Sequence, residues 1–148
     1  MTRFQFRLQR VLEWRGKQLE LEEARFKQCL AEVTDVDQRR TAMEAAQLDA
    51  ERQLRHRGNV LGQDLAALAG YRRFAQDRIR RLALERVEAG KRLAAQEQTM
   101  LEARRRCRLL ERLRERRLVE WEAAADKELD EVAAESHLAR WARAGSRD

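Results

Sequence analysis

Few side chains in this sequence could carry covalent or acid–base chemistry, and their spacing keeps them apart. The histidines are His56 and His137, the serines Ser136 and Ser146, and the cysteines Cys29 and Cys107. Nucleophilic or general acid–base catalysis needs such groups within hydrogen-bond reach of one another. No glycine-rich phosphate loop, HExxH pair, CxxC pair or clustered set of metal ligands is present. The carboxylates alternate with arginine at helical spacing, the ordinary arrangement of solvated partners. These residues argue against an enzyme and imply no cofactor, metal or small-molecule substrate.

The chemistry the sequence does favour is charge recognition. Eight arginines fall between Arg104 and Arg117, and Arg104, Arg108, Arg112 and Arg116 recur every four residues. Like charges at that spacing repel along a helix. Glu111 and Glu115 are the neighbours placed to relieve them, and an external anionic surface, an acidic protein groove or a nucleic-acid backbone, would do so better. Charge is segregated along the chain as well. Residues 70–117 hold 16 basic and 7 acidic groups, whereas residues 118–148 hold 4 basic and 8 acidic.

The elements that must carry these residues follow from the absence of proline and from a heptad of apolar positions. Proline inside a helix costs roughly 3 kcal/mol, so excluding it throughout favours long uninterrupted helices. A first stripe runs through Leu12, Leu19, Phe26, Val33, Val36 and Met43 to Leu54, and a second through Leu68, Ala75, Leu82, Ala89, Leu93, Met100 and Cys107 to Leu110. Seven-residue spacing keeps one seam facing a partner helix. The expected fold is all-α, a two-helix antiparallel coiled-coil hairpin forming a single domain over 1–148. Its helices are expected over 2–56 and 63–143, with a turn at 57–62 and a flexible tail over 144–148. Thr2 and Gln5 match a capping box, Gly58 offers a left-handed helix end, and Asn59 offers a cap for the second helix.

Polar residues interrupt the seam at Arg15, Glu22, Arg40, Gln47, Arg72, Arg86 and Gln96, costing stability while fixing register. Seven acid-then-base pairs at i,i+4, among them Asp35/Arg39, Glu51/Arg55, Asp77/Arg81 and Glu88/Arg92, are expected to support the wet faces. Cys29 and Cys107 lie on the apolar stripe, too far apart in a hairpin to pair, and read as reduced seam residues.

Unequal arm lengths carry the functional expectation. About 52 residues precede the turn and more than 80 follow it, so the first helix covers the second only to about residue 113. Some thirty residues then overhang, with Leu118, Trp121, Leu129, Val132, Leu138 and Trp141 lacking an internal partner. Burying one such side chain contributes roughly 1.5–3 kcal/mol, so an unpaired ridge of them favours a second molecule. No apolar run approaches the roughly 20 residues that span a bilayer, and no signal-peptide core follows the N-terminal arginines. A cytoplasmic chain is expected.

Phe6-Arg7-Leu8-Gln9 followed by Val11-Leu12 and Arg15 is similar to the opening of the flagellar export protein FliJ family, a component of the type III export ATPase complex. Leu101-Glu102-Ala103-Arg104-Arg105, Leu110-Glu111-Arg112-Leu113, Trp121 and Lys127-Glu128-Leu129-Asp130-Glu131-Val132-Ala133 resemble its closing stretch in order and spacing. Arg112 stands where lysine is usual in that family, and Val132 where leucine is usual.

The resemblance implies a non-enzymatic coiled coil, similar to the stalk subunit of rotary ATPases, that inserts into a hexameric export ATPase. It also implies contact with the cytoplasmic domain of an export-gate membrane protein, with export chaperones as further partners. Phe6, Leu8, Arg112, Trp121, Asp130 and Glu131 would then face the ATPase, joined by the other arginines of the row, Arg104, Arg108 and Arg116. Met43, Leu68, Tyr71 and Phe74 would face the gate. The chain would be a monomer or weak dimer in the cytoplasm, held peripherally at the membrane-embedded apparatus. Two other classes remain open on the residues alone, a basic nucleic-acid-binding coiled coil and a self-assembling scaffold. Nucleic acid is disfavoured, because the basic block follows the coil and Tyr71 and Phe74 are too few for a stacking platform.

Overall fold

A computed structural model describes residues 3–145. They form two helices, α1 over Gln9–His56 and α2 over Gly62–Gly145, of 48 and 84 residues, with no strand among the described residues. The all-α expectation holds. No helix among the described residues is long and apolar enough to cross a membrane. The helices contribute to two compact units, Met1–Leu19 with Ala103–Asp148, and Glu20–Glu102.

The unit Glu20–Glu102 contains the turn. Gly58 does not adopt a positive φ, so the expected left-handed helix end is absent. Instead α1 closes with the Arg57 N–H donating to the Leu54 carbonyl at 3.3 Å. Nor does Asn59 cap α2. The Leu61 carbonyl accepts from the Asp64 and Leu65 N–H groups, and the Leu61 N–H donates back to the Asp64 carboxylate at 3.1 Å. Asp64 in the first turn therefore satisfies an otherwise orphaned donor and places negative charge at the positive end of the helix dipole.

The seam of this unit follows the heptad. Val33 and Val36 of α1 are buried with Ala75, Leu82, Ala89 and Met100 of α2, and Phe26, Cys29, Met43, Ala50, Leu54, Leu68, Ile79 and Leu93 are half-buried. Among the polar seam positions, Glu22 is buried and Gln47, Arg86 and Gln96 half-buried, whereas Arg40 and Arg72 are exposed. Long side chains escape a seam by reaching its rim, which is how arginine keeps its charge in water.

Ion pairs across the seam record the antiparallel register: Arg72–Glu51 at 2.8 Å, Arg86–Asp37 at 2.9 Å, Arg39–Glu85 at 3.3 Å and Arg92–Glu32 at 3.6 Å. Two expected pairs along a helix give way to them, and a third shifts by one residue. Asp35–Arg39 forms at 3.0 Å, but Glu51 takes Arg72 in place of Arg55, and Arg92 takes Glu32 in place of Glu88. Asp77 pairs with Arg80 in place of Arg81.

The hydrogen bond from Arg72 holds the Glu51 carboxyl below its ordinary range, against a smaller opposing effect of desolvation. The folded chain thus binds that proton less tightly than the unfolded chain. The stabilisation is complete above the unfolded carboxyl value, about 4.3, and disappears as pH falls through the lower folded value. Melting curves from about pH 6 down to pH 3 should show the wild type losing more of its Tm than Glu51→Gln, the two converging in acid. Parallel curves would show that the pair contributes nothing.

In the other unit, the first helix starts later than a Thr2 cap would place it; Thr2 itself lies outside the described residues. Residues 3–8 are not helical, and α1 begins with the Gln9 N–H donating to the Phe6 carbonyl at 3.0 Å and the Leu12 N–H to the Leu8 carbonyl at 2.9 Å. This arm changes the coverage of α2. Non-helical chain spans more length per residue than a helix, so the arm reaches further along α2 than a helical start would. Leu118, Trp121 and Ala125 are accordingly half-buried, and full exposure begins at Asp126, not after residue 113. Helix α2 also continues through Gly145, into the tail expected to be flexible; residues 146–148 lie outside the described residues.

Candidate functional site

The unit formed by the N-terminal arm, the start of α1 and the last part of α2 carries the residues expected to face the ATPase, of which only three meet in one groove. Phe4 lies against Trp121 with ring centroids 6.0 Å apart and planes inclined at 57°. Phe4, Phe6, Leu8, Leu113 and Trp121 line one side of an open groove, with Arg7, Arg117 and Glu120 on its rim. Arg117 and Glu120 pair at 2.8 Å and both are exposed. Arg3, Arg10, Glu13 and Arg114 border an adjoining depression on the same arm. The result is an apolar floor inside a mainly basic rim.

Of the expected residues, Phe6, Leu8 and Trp121 are brought together here. Phe4, Leu113, Arg117 and Glu120 join them and were not singled out by sequence reasoning. A signal for the arm was present: Phe4, Phe6 and Leu8 alternate with polar residues, the period of extended chain and not of a helix. An extended arm can lay Phe4 and Phe6 on one surface, which a helical start would splay by some 200°.

The arginine row occupies the other side of α2. Cys107 is buried and Leu110, Trp121 and Ala125 half-buried toward the arm and α1, whereas Arg108, Arg112 and Arg116 are exposed and make no ion pair among the described residues. Arg104 is half-buried and belongs to the flank. The expected relief by Glu111 does not occur: its carboxylate accepts the Cys107 thiol at 3.8 Å, and neither it nor Glu115 makes an ion pair among the described residues.

Desolvation, followed by the charge of Glu111 and its hydrogen bond, pushes the Cys107 thiol pKa up. Thiolate is the reactive form, and both cysteines are free. Alkylation at neutral pH should therefore modify half-buried Cys29 at least about tenfold faster than Cys107. Equal rates, followed by peptide mapping, would contradict this account of the site.

Past Ala125 every described residue of α2 is exposed. Leu129 and Val132 continue the line of Leu118, Trp121 and Ala125, and Leu138 and Trp141 point away from it, Trp141 with 76% of its surface open. Asp130 and Glu131 lie on this stretch, Glu131 within 3.9 Å of Lys127. They stand beyond the groove and not in it.

The second expected set, in the unit Glu20–Glu102, is only partly brought together. Tyr71 and Phe74 approach with centroids 6.3 Å apart, and Leu68 and Tyr71 line a shallow groove with Leu54, Arg57 and Asp64. Phe74 is 58% exposed. Met43 lies apart, in a depression with Ala42, Ala46, Arg78 and Leu82. His56 and His137 end on exposed helix surface, and no group of three potential metal ligands occurs among the described residues. Comparison with family models, curated proteins and solved structures gives no match for this chain.

Proposed function

We propose that this chain is a non-enzymatic coiled-coil subunit of a flagellar or related type III protein export apparatus. It binds a hexameric export ATPase through the end of the molecule that carries the arm and the bare stretch of α2, and promotes the activity of that ATPase. The observation that supports this reading is the run of exposed helix from Asp126 to Gly145, with Leu129, Val132, Leu138 and Trp141 open to solvent. A projecting helix with apolar and charged stripes suits insertion among the subunits of a protein ring, where charge complementarity guides approach and apolar contact holds. Leu68, Tyr71 and Phe74 are the proposed contact for the export gate, which would keep this cytoplasmic chain at the membrane.

The test compares the full chain with residues 1–125 in a pull-down and in an ATPase assay with the export ATPase of the same host. The truncated chain retains the Phe4–Trp121 contact and should keep its helical circular dichroism while losing stimulation. Undiminished stimulation by residues 1–125 would sink the assignment. The exposed row of Arg108, Arg112 and Arg116 supports a second reading, a nucleic-acid-binding coiled coil. That reading requires affinity for duplex or single-stranded oligonucleotides to fall about a thousandfold or more between 50 and 200 mM salt, if roughly 6–10 phosphates are neutralised.

A further inference from the structure

The outward face of α2 carries a pattern that its inner seam does not explain. Arg108, Arg112, Arg116, Val119, Ala123, Asp126 and Asp130 follow one another at spacings of four and three, which holds them within one narrow stripe of a helix turning 100° per residue. All seven are exposed, opposite Cys107, Leu110 and Trp121, and the arginines and aspartates make no ion pairs among the described residues. The stripe is basic in its first half, small and apolar at its centre, and acidic in its second half. Residues 104–117 hold eight arginines against two glutamates, and residues 120–135 hold seven carboxylates against one lysine.

We propose that this stripe is the contact surface for a second copy of the chain, the two α2 helices lying antiparallel about a two-fold axis at the level of residue 121. That operation brings Arg112 opposite Asp130, Arg116 opposite Asp126 and Val119 opposite Ala123, because each pair is equidistant from position 121. The two-fold generates every contact twice, as an isologous interface requires. Parallel pairing would set arginine on arginine and aspartate on aspartate, so the charge order selects the antiparallel arrangement. The stripe from Arg112 to Asp130 is roughly 27 Å long, enough for a weak, salt-sensitive dimer and too little for an obligate one. It is a different face from the groove of Phe4 and Trp121, but it shares Asp126 and Asp130 with the stretch assigned to the export ATPase, so a dimer and an ATPase complex would compete for them.

The ion pairs can be reversed without touching the seam. Arg112→Asp/Arg116→Asp makes all four paired positions acidic, and Asp126→Arg/Asp130→Arg makes them all basic. Sedimentation equilibrium of the full chain from about 1 to 100 μM should show wild-type dimers in about 50 mM salt that dissociate in about 500 mM. Each variant alone should lose self-association by at least about tenfold while keeping its helical circular dichroism. An equimolar mixture of the two should recover a one-to-one dimer, since all four ion pairs are then restored. A monomeric wild type at every concentration, a mixture that stays monomeric, or variants that dimerise like the wild type would each overturn the proposal.

Discussion

Leu82→Ala should destabilise the hairpin by about 2–4 kcal/mol, the range for deleting a buried leucine whose site relaxes only in part. Leu82 is 1% exposed and is the largest fully buried side chain among the described residues, where two helices alone must shut out water. Its surroundings are thin. Among the described residues of its unit the other buried apolar side chains are Val33, Val36, Ala75, Ala89 and Met100, most of them small, and the adjoining depression is lined by Ala42, Ala46 and the stems of Arg39 and Arg78. Arginine stems can fold partway into the space, which holds the cost below the upper limit for a leucine enclosed on all sides. Thermal unfolding followed at 222 nm should show Tm lower by roughly 6–12 °C, because 1 kcal/mol moves a chain of this size by about 3 °C. Leu84→Ala, two positions on and 70% exposed, should leave Tm nearly unchanged. Equal effects at the two positions would mean that Leu82 is not where the seam closes.

Leu82 also marks how much of the fold is legible in the sequence. It lies on the second heptad stripe, as do Ala75, Ala89, Met100 and Cys107, and Val33 and Val36 lie on the first. Burial along a seam depends on local periodicity, which a single sequence contains in full. Which charge finds which depends on register between helices, so Glu51 and Arg92 could not be assigned their partners from spacing along one helix. The helix ends were hidden for a related reason. Gly58 and Asn59 have the intrinsic preferences of a cap, but Asp64 competes by reaching back to the Leu61 N–H. At the candidate site, Trp121 and Leu8 were legible as apolar residues on the two stripes, whereas the groove they share needs the non-helical arm. Its period-two signal, Phe4, Phe6 and Leu8, is too short to outweigh the helical pattern that follows.

Removing Gln96 should expose a strongly interdependent polar contact of the seam. Glu22 is only 8% exposed, and burying a charge is costly unless it is hydrogen-bonded. Its carboxylate accepts from Arg25 at 3.0 Å on its own helix, and from the Gln96 side-chain amide across the seam. The same amide donates to the Glu22 carbonyl at 3.2 Å. Gln96→Leu keeps the volume but strips the carboxylate of its cross-seam donor, and should cost about 1–3 kcal/mol in urea unfolding. Glu22→Leu/Gln96→Leu removes the charge together with its partner and should return to within about 1 kcal/mol of the wild type or exceed it, as apolar replacement of buried polar pairs often does. The double variant has a second expected property. Glu22 and Gln96 meet in only one register of an antiparallel seam, and leucine at both positions would accept a slip by one heptad. Amide exchange along residues 62–102 should therefore become faster or heterogeneous even where the midpoint rises. Strictly additive effects of the two substitutions, with exchange unchanged, would reduce the pair to two unrelated polar residues and remove its role in fixing register.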